Sequence, residues 1–159
     1  MDMKILFLED EYDFAESICR SFSMHKITYT NDLVRFDSYL YENPGAKYYD
    51  IILMDLNVEL IDMDDYQFFK LCSFDNMIEK FELTNTIAGI TLSLLGWDYF
   101  VHKVMQHIAT KMSAFQNFYF LTGHYDTIKE CALLEKQGIS PKRLLDKSKC
   151  IKALEAIIY

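Results

Sequence analysis

The chain has 159 residues, 51% of them hydrophobic, which is enough for one domain around one core and excludes a disordered tail. Its net charge is −8, and its basic residues gather no further than the Lys142-Arg143 and Lys147/Lys149 pairs, which argues against a nucleic-acid partner. Four scattered cysteines, Cys19, Cys72, Cys131 and Cys150, form no C-x-x-C pair and read as buried thiols of a reducing compartment.

Met1-Asp2-Met3-Lys4 runs straight into a strand and is no signal peptide. Lys4-Ile5-Leu6-Phe7-Leu8 is a short apolar run ending in Glu9-Asp10-Glu11. A helix follows, with Phe14, Ala15, Ile18, Cys19 and Phe22 at helical spacing. Ile27 to Thr30 is β-branched and aromatic, and reads as a short strand. Asn31 or Asp32 could cap the next helix, whose Leu33, Phe36, Tyr39 and Leu40 share a face, and Asn43-Pro44-Gly45 closes it with turn chemistry. Then Ile51-Ile52-Leu53-Met54 runs unbroken into Asp55, with Asn57 two positions on. So short a continuous apolar run points to a strand buried on both faces, as in a parallel sheet covered by helices.

After Asn57 an acidic loop (Glu59, Asp62, Asp64, Asp65) leads to helical patterns over 66–81 and 84–112. The most apolar part, 86–101, carries Asp98 and two glycines and is too short to span a bilayer comfortably, so a cytoplasmic protein with no membrane partner is expected. Phe118-Tyr119-Phe120-Leu121 is another buried-strand run, ending in Thr122-Gly123-His124. A helix over 127–137 stops at Gly138, 143–146 is the last strand and leads to Lys147, and 150–158 is a closing amphipathic helix. No Gly/Ser- or Pro-rich linker divides the chain, so 1–159 is expected to be a single domain.

Strands alternating with helices predict an α/β fold, a doubly wound five-stranded parallel sheet with helices on both faces. In the order 2-1-3-4-5 the first and third strands are neighbours at the switch point, where such sheets bind ligands. Glu9-Asp10 and Asp55 then face one another. An unpaired buried carboxylate is expensive, so Asp55 is either near water or held by a metal or a cation. Three carboxylates brought close favour a raised pKa or a bound divalent cation, and hard oxygen ligands suit Mg²⁺ better than zinc. A hydroxyl (Thr122) and an ammonium (Lys147) beyond them would suit the oxygens of a transferred phosphoryl group, for which a carboxylate can be the nucleophile.

The chain resembles the receiver domain of two-component response regulators (CheY-like). The matching motifs are Ile5-Leu6-Phe7-Leu8-Glu9-Asp10-Glu11, Asp50-Ile51-Ile52-Leu53-Met54-Asp55-Leu56-Asn57, Phe120-Leu121-Thr122-Gly123 and Leu145-Asp146-Lys147. They cover residues 1–57 and 118–159; the middle does not match. The resemblance implies that Asp55 is the phosphoacceptor, that Asp10 ligates Mg²⁺ directly and Glu9 directly or through water, and that the Asn57 carbonyl completes the metal site. Thr122 would hydrogen-bond the phosphoryl oxygen, Lys147 would pair with the phosphate, Gly123 would leave room for it, and Asn57 and His124 would tune hydrolysis of the acyl phosphate. It also implies a histidine kinase or phosphotransfer protein upstream and a protein target downstream.

Several departures stand out. Ser148 replaces the proline usual after the lysine, Leu144 replaces the aromatic residue of the last strand, and no Pro or Gly follows Asn57. Sixty-four residues separate Asn57 from Thr122, against roughly 30 for a whole βαβ unit. A helical insertion within about 58–117, between strands 3 and 4, is therefore expected.

The leading reading is a stand-alone receiver, catalytic only in its own phosphorylation and dephosphorylation. The runner-up is a pseudo-receiver that associates constitutively without phosphorylation; Ser148, Leu144 and the insertion favour it. A phosphohydrolase starting from a strand-end Asp would need a second Asp where Asn57 stands. The structural alternatives are plain. Glu9, Asp10 and Glu11 could merely complement a helix dipole, and Thr122 and Lys147 taken singly could be structural. His25, His102 and His107 read as ordinary residues, the last two being five apart, which is wrong for a zinc site on one helical face. Trp97, Tyr99 and Phe100 read as core, unless exposed as a partner or dimer surface.

Overall fold

A computed structural model of the chain describes residues 2–42, 44–56, 117–123, 135 and 139–159. The expected insertion, Asn57, His124, His102, His107 and the residues around Trp97 lie outside these. Five strands form one parallel sheet: β1 (Lys4–Leu8), β2 (Lys26–Thr30), β3 (Ile51–Asp55), β4 (Phe118–Thr122) and β5 (Leu144–Asp146). Their order is β2-β1-β3-β4-β5, as expected. Helices α1 (Tyr12–Ser21) and α2 (Leu33–Tyr41) follow β1 and β2, and α3 (Cys150–Ile158) closes the chain.

β1, β3 and β4 read as continuous apolar runs because the inner sheet is covered on both faces, while the edge strand β2 is only half-buried. Ile5, Phe7, Ile51, Leu53, Leu121 and Leu145 point to one face, against Ala15, Ile18 and Phe22 of the α1 segment and Cys150 and Leu154 of α3. Their alternates, Leu6, Leu8, Ile52, Met54 and Phe120, are buried on the other face, where α2 lies beside β1 and β2. Leu33, Phe36 and Leu40 are the buried stripe of α2, at the spacing that puts residues on one side of a helix.

Local chemistry sets the ends. Asp32, not Asn31, caps α2, its side chain accepting the Val34 N–H. Gly45 takes a positive φ of 76°, which favours glycine, and a 3-10 turn over Ala46–Tyr48 follows it that apolar periodicity did not show. β2 begins one residue earlier than predicted, at Lys26. β5 begins one later, at Leu144, because Arg143 belongs to a 3-10 turn (Pro141–Arg143) and its guanidinium donates to the Phe118 carbonyl at 3.1 Å. Asn117 anchors the entry to β4: its carbonyl accepts the Ile52 N–H at 2.9 Å and its side-chain amide donates to the Tyr49 carbonyl at 3.0 Å. Among the described residues no helix is long and apolar enough to cross a membrane.

Candidate functional site

Parallel strands all present their carboxyl ends at one edge, so the polar residues that end β1, β3, β4 and β5 are gathered there. Asp55 ends the central strand β3, between β1 and β4, with Met54 paired to Leu8 and Asp55 itself to Leu121. That position buries it completely, and Glu9 and Thr122 are as fully buried. Oxygens of Glu9, Asp10 and Asp55 all lie within 4.8 Å of one another.

Lys147 follows β5 and reaches across this edge. Its ammonium lies 2.9 Å from Glu9 Oε1, 3.2 Å from Asp55 Oδ2 and 3.6 Å from Glu11 Oε2, with only 11% of the side chain exposed. Of the environments open to Asp55 from sequence, the structure shows a cation in contact. The lysine is a buried member of the site, not a solvated helix start. Its stem passes beside Gly123, where an added Cβ would just touch it, 3.4 Å from Lys147 Cδ.

Glu9 is the strained member. Burial, and then the negative charge of Asp55, push its carboxyl from the ordinary 4.5 up to about 9, against the opposing Glu11 N–H and Lys147. For Lys147 burial pulls the pKa down, but Asp55 and Glu9 outweigh it and hold the ammonium above its usual range. We therefore take the lysine as charged, shared between Asp55 and a Glu9 carboxyl that keeps its proton. Glu9 Oε1 is satisfied by Lys147 and by the Glu11 N–H at 3.0 Å; Glu9 Oε2 is buried with no hydrogen-bond partner among the described residues. An unpaired buried polar atom costs about 1–3 kcal/mol, so natural folds rarely keep one without a reason. A hard divalent cation would supply the missing partner and suit the all-oxygen donor set, so Glu9, Asp10 and Asp55 fit Mg²⁺.

The turn carrying Glu9 is held from several sides. The Glu9 N–H donates to the Thr30 carbonyl at 3.1 Å, and Tyr29 Oη donates to the Glu9 carbonyl at 2.9 Å. Tyr29, the Glu11 backbone and Phe14, whose ring lies under the Lys147 ammonium with 5.3 Å to its centroid, are participants that strand-end reasoning missed. Phe14 meets a residue far away in sequence, so no local spacing signalled its part in the site. At β5, Asp146 accepts the Ser148 N–H and hydroxyl, both at 2.9 Å. A proline at 148 could not make that cap, and the capped 3-10 turn over Lys147–Lys149 is what launches the lysine from the strand.

No protein-family model and no curated protein matches the chain. Solved structures do. Full-length FixJ from B. japonicum is similar at 14% identity and a TM-score of 0.54 over 98% of this chain, which spans 55% of that chain's length. The bacteriophytochrome response regulator AtBRR is similar at 13% identity and a TM-score of 0.48, over 98% of this chain and 91% of that one. The receiver domain of the Arabidopsis thaliana histidine kinase CKI1, complexed with Mg²⁺ and BeF₃⁻, follows at 12% identity and 0.48, over 98% and 89%. Identities this low speak of fold alone, and with five parallel strands ordered 2-1-3-4-5 the fold of this chain is that of the response regulator receiver domain.

Proposed function

We propose that the chain is a receiver that takes a phosphoryl group on Asp55 in a Mg²⁺-dependent reaction and signals by protein contact. The observation that carries this is the buried carboxylate cluster with one Glu9 oxygen unpartnered, an arrangement that costs stability and is suited to a cation. Glu9, Asp10 and Asp55 would hold Mg²⁺, with the Asn57 carbonyl added by resemblance. The ion supplies positive charge for the oxygens of the incoming group.

In the reaction an Asp55 carboxylate oxygen attacks phosphorus in line, and the bond from phosphorus to the donor's nitrogen or acyl oxygen breaks. The leaving group keeps the electron pair, and Asp55 becomes an acyl phosphate. Lys147, already 3.2 Å from Asp55, is the cation that pairs with the new phosphoryl oxygens. The Thr122 hydroxyl, one residue beyond the Asp55-paired Leu121, is the donor on the far side. Gly123 keeps the approach open. Water attack on phosphorus later returns Asp55 and inorganic phosphate.

In this reading residues 1–159 are one domain with a helical addition within about 58–117. A histidine kinase, a phosphotransfer protein or a small acyl phosphate is the cytoplasmic donor, and a protein is the target. Intact mass after incubation with acetyl phosphate and Mg²⁺ tests it: one phosphoryl adduct is expected, lost in Asp55→Asn and without Mg²⁺. No adduct from folded protein, with acetyl phosphate or with a phosphohistidine donor, would leave the second reading, a phosphorylation-independent interaction module. Leu144 at the core-facing position of β5, paired with Phe120, is the observation that favours that alternative.

A further inference from the structure

We propose that Phe14 is a positioning residue for Lys147, its ring face holding the ammonium over the pocket when the carboxylates engage other partners. The inference rests on the receiver reading and deepens it. Lys147 Nζ touches Glu9 and Asp55, whose oxygens a divalent cation and a phosphoryl group would claim. Two other contacts do not depend on those oxygens. One is Glu11 Oε2 at 3.6 Å, but that side chain is 67% exposed, so water screens the pair and it holds little. The other is the Phe14 ring, 5.3 Å from centroid to ammonium.

The ring is a better hold because its setting is drier and its orientation is fixed. Attraction between an ammonium and a ring face acts within roughly 6 Å and strengthens as water is removed. Phe14 is half-buried beside the core, and its ring packs edge-on to the fully buried Phe7, with centroids 6.4 Å apart and planes at 70°. Phe7 in turn meets Tyr29 at 5.7 Å, the residue that holds the Glu9 carbonyl. Gly123 carries no side chain against the lysine stem, where a Cβ would come to 3.4 Å of Lys147 Cδ, so that side of the stem offers no hold. Against the Phe14 ring the ammonium keeps a place beside Asp55 that needs no carboxylate.

A double-mutant cycle tests this. Phe14→Leu, Lys147→Met and the double variant are compared with wild type by urea unfolding without metal and by the rate of phosphorylation from acetyl phosphate at saturating Mg²⁺. Phe14→Tyr is the conservative rescue, and Phe14→Met stands in should the leucine variant not fold. The ring and ammonium should couple by about two- to fivefold in the unfolding constant. Phe14→Leu should slow phosphorylation by about fivefold while the Mg²⁺ dissociation constant stays within about twofold; Phe14→Tyr should restore the rate, and Phe14→Leu should add nothing to Lys147→Met. Effects of Phe14→Leu that persist undiminished beside Lys147→Met would mean that the ring acts by packing alone, and would overturn the inference. A folded wild type that takes no phosphoryl group would overturn the receiver reading instead, and the unfolding cycle would then decide the contact alone.

Discussion

The two ends of the same parallel sheet solve opposite electrostatic problems. At the amino end, unlike groups meet near water. The Lys4 N–H donates to Asp50 Oδ2 at 2.8 Å, and the Lys26 ammonium donates to Tyr48 Oη at 3.0 Å while that of Lys4 lies 4.4 Å from the same ring's centroid. His25 is a satisfied histidine, accepting the Met3 N–H on Nδ1 at 3.3 Å and meeting Tyr159 Oη through Nε2 at 3.2 Å. At the carboxyl end two carboxyl groups, Glu9 and Asp55, are buried side by side, one lysine serves both and the exposed Glu11, and a Glu9 oxygen is left without a partner among the described residues. The amino end is arranged for stability. The carboxyl end departs from that arrangement, as sites built to bind something do.

The largest effect should come from Lys147→Met, which removes the cation contacting Asp55. Loss of one partner from a buried pair costs about 3 kcal/mol, visible as a lower urea midpoint in metal-free protein, and Mg²⁺ should restore much of it by occupying the same oxygens. A midpoint that does not move would break the contrast between the two ends.

Glu9→Gln comes next and acts through pH. Glu9 titrates near 4.5 when unfolded and at about 9 in the metal-free fold, so between those limits the fold binds the extra proton. Its contribution is complete below 4.5 and is lost as pH rises towards about 9. Urea midpoints of the metal-free wild type should therefore fall across that window, and Glu9→Gln should flatten the decline while weakening Mg²⁺ binding about tenfold. Parallel profiles for the two proteins would contradict the assignment.

His25→Ala should cost about 1–2 kcal/mol through the Met3 N–H left unpaired, with the Mg²⁺ dissociation constant unchanged by calorimetry. The smallest effect belongs to Tyr48→Phe. It removes only a solvent-exposed contact and should leave both midpoint and Mg²⁺ affinity where they were; a change in affinity would mean that the two ends communicate.

Much of this was legible from local pattern. Apolar runs marked β1, β3 and β4, because strands buried on both faces have no polar alternation to hide them, whereas the edge strand β2 showed through its β-branched and aromatic residues. Asp32 was one of two caps considered. Elements resting on backbone geometry were less legible: the 3-10 turn after Gly45 follows from a positive φ, and Arg143 left β5 for a carbonyl 25 positions away in sequence. The Phe14 contact with Lys147 and the Tyr29 bond to Glu9 join residues distant in sequence, so periodicity on either element treats them as ordinary core.

By itself the sequence determined where the strands lie along the chain and which polar side chains end them, because hydrophobic period and strand ends are local properties; the order 2-1-3-4-5 came from the doubly wound fold that strands alternating with helices imply. Only the tertiary structure decided the electrostatic state of the carboxyl edge. Burial and separation, not residue type, make Glu9 hold its proton to about 9, leave its second oxygen unpartnered and set one lysine against Asp55.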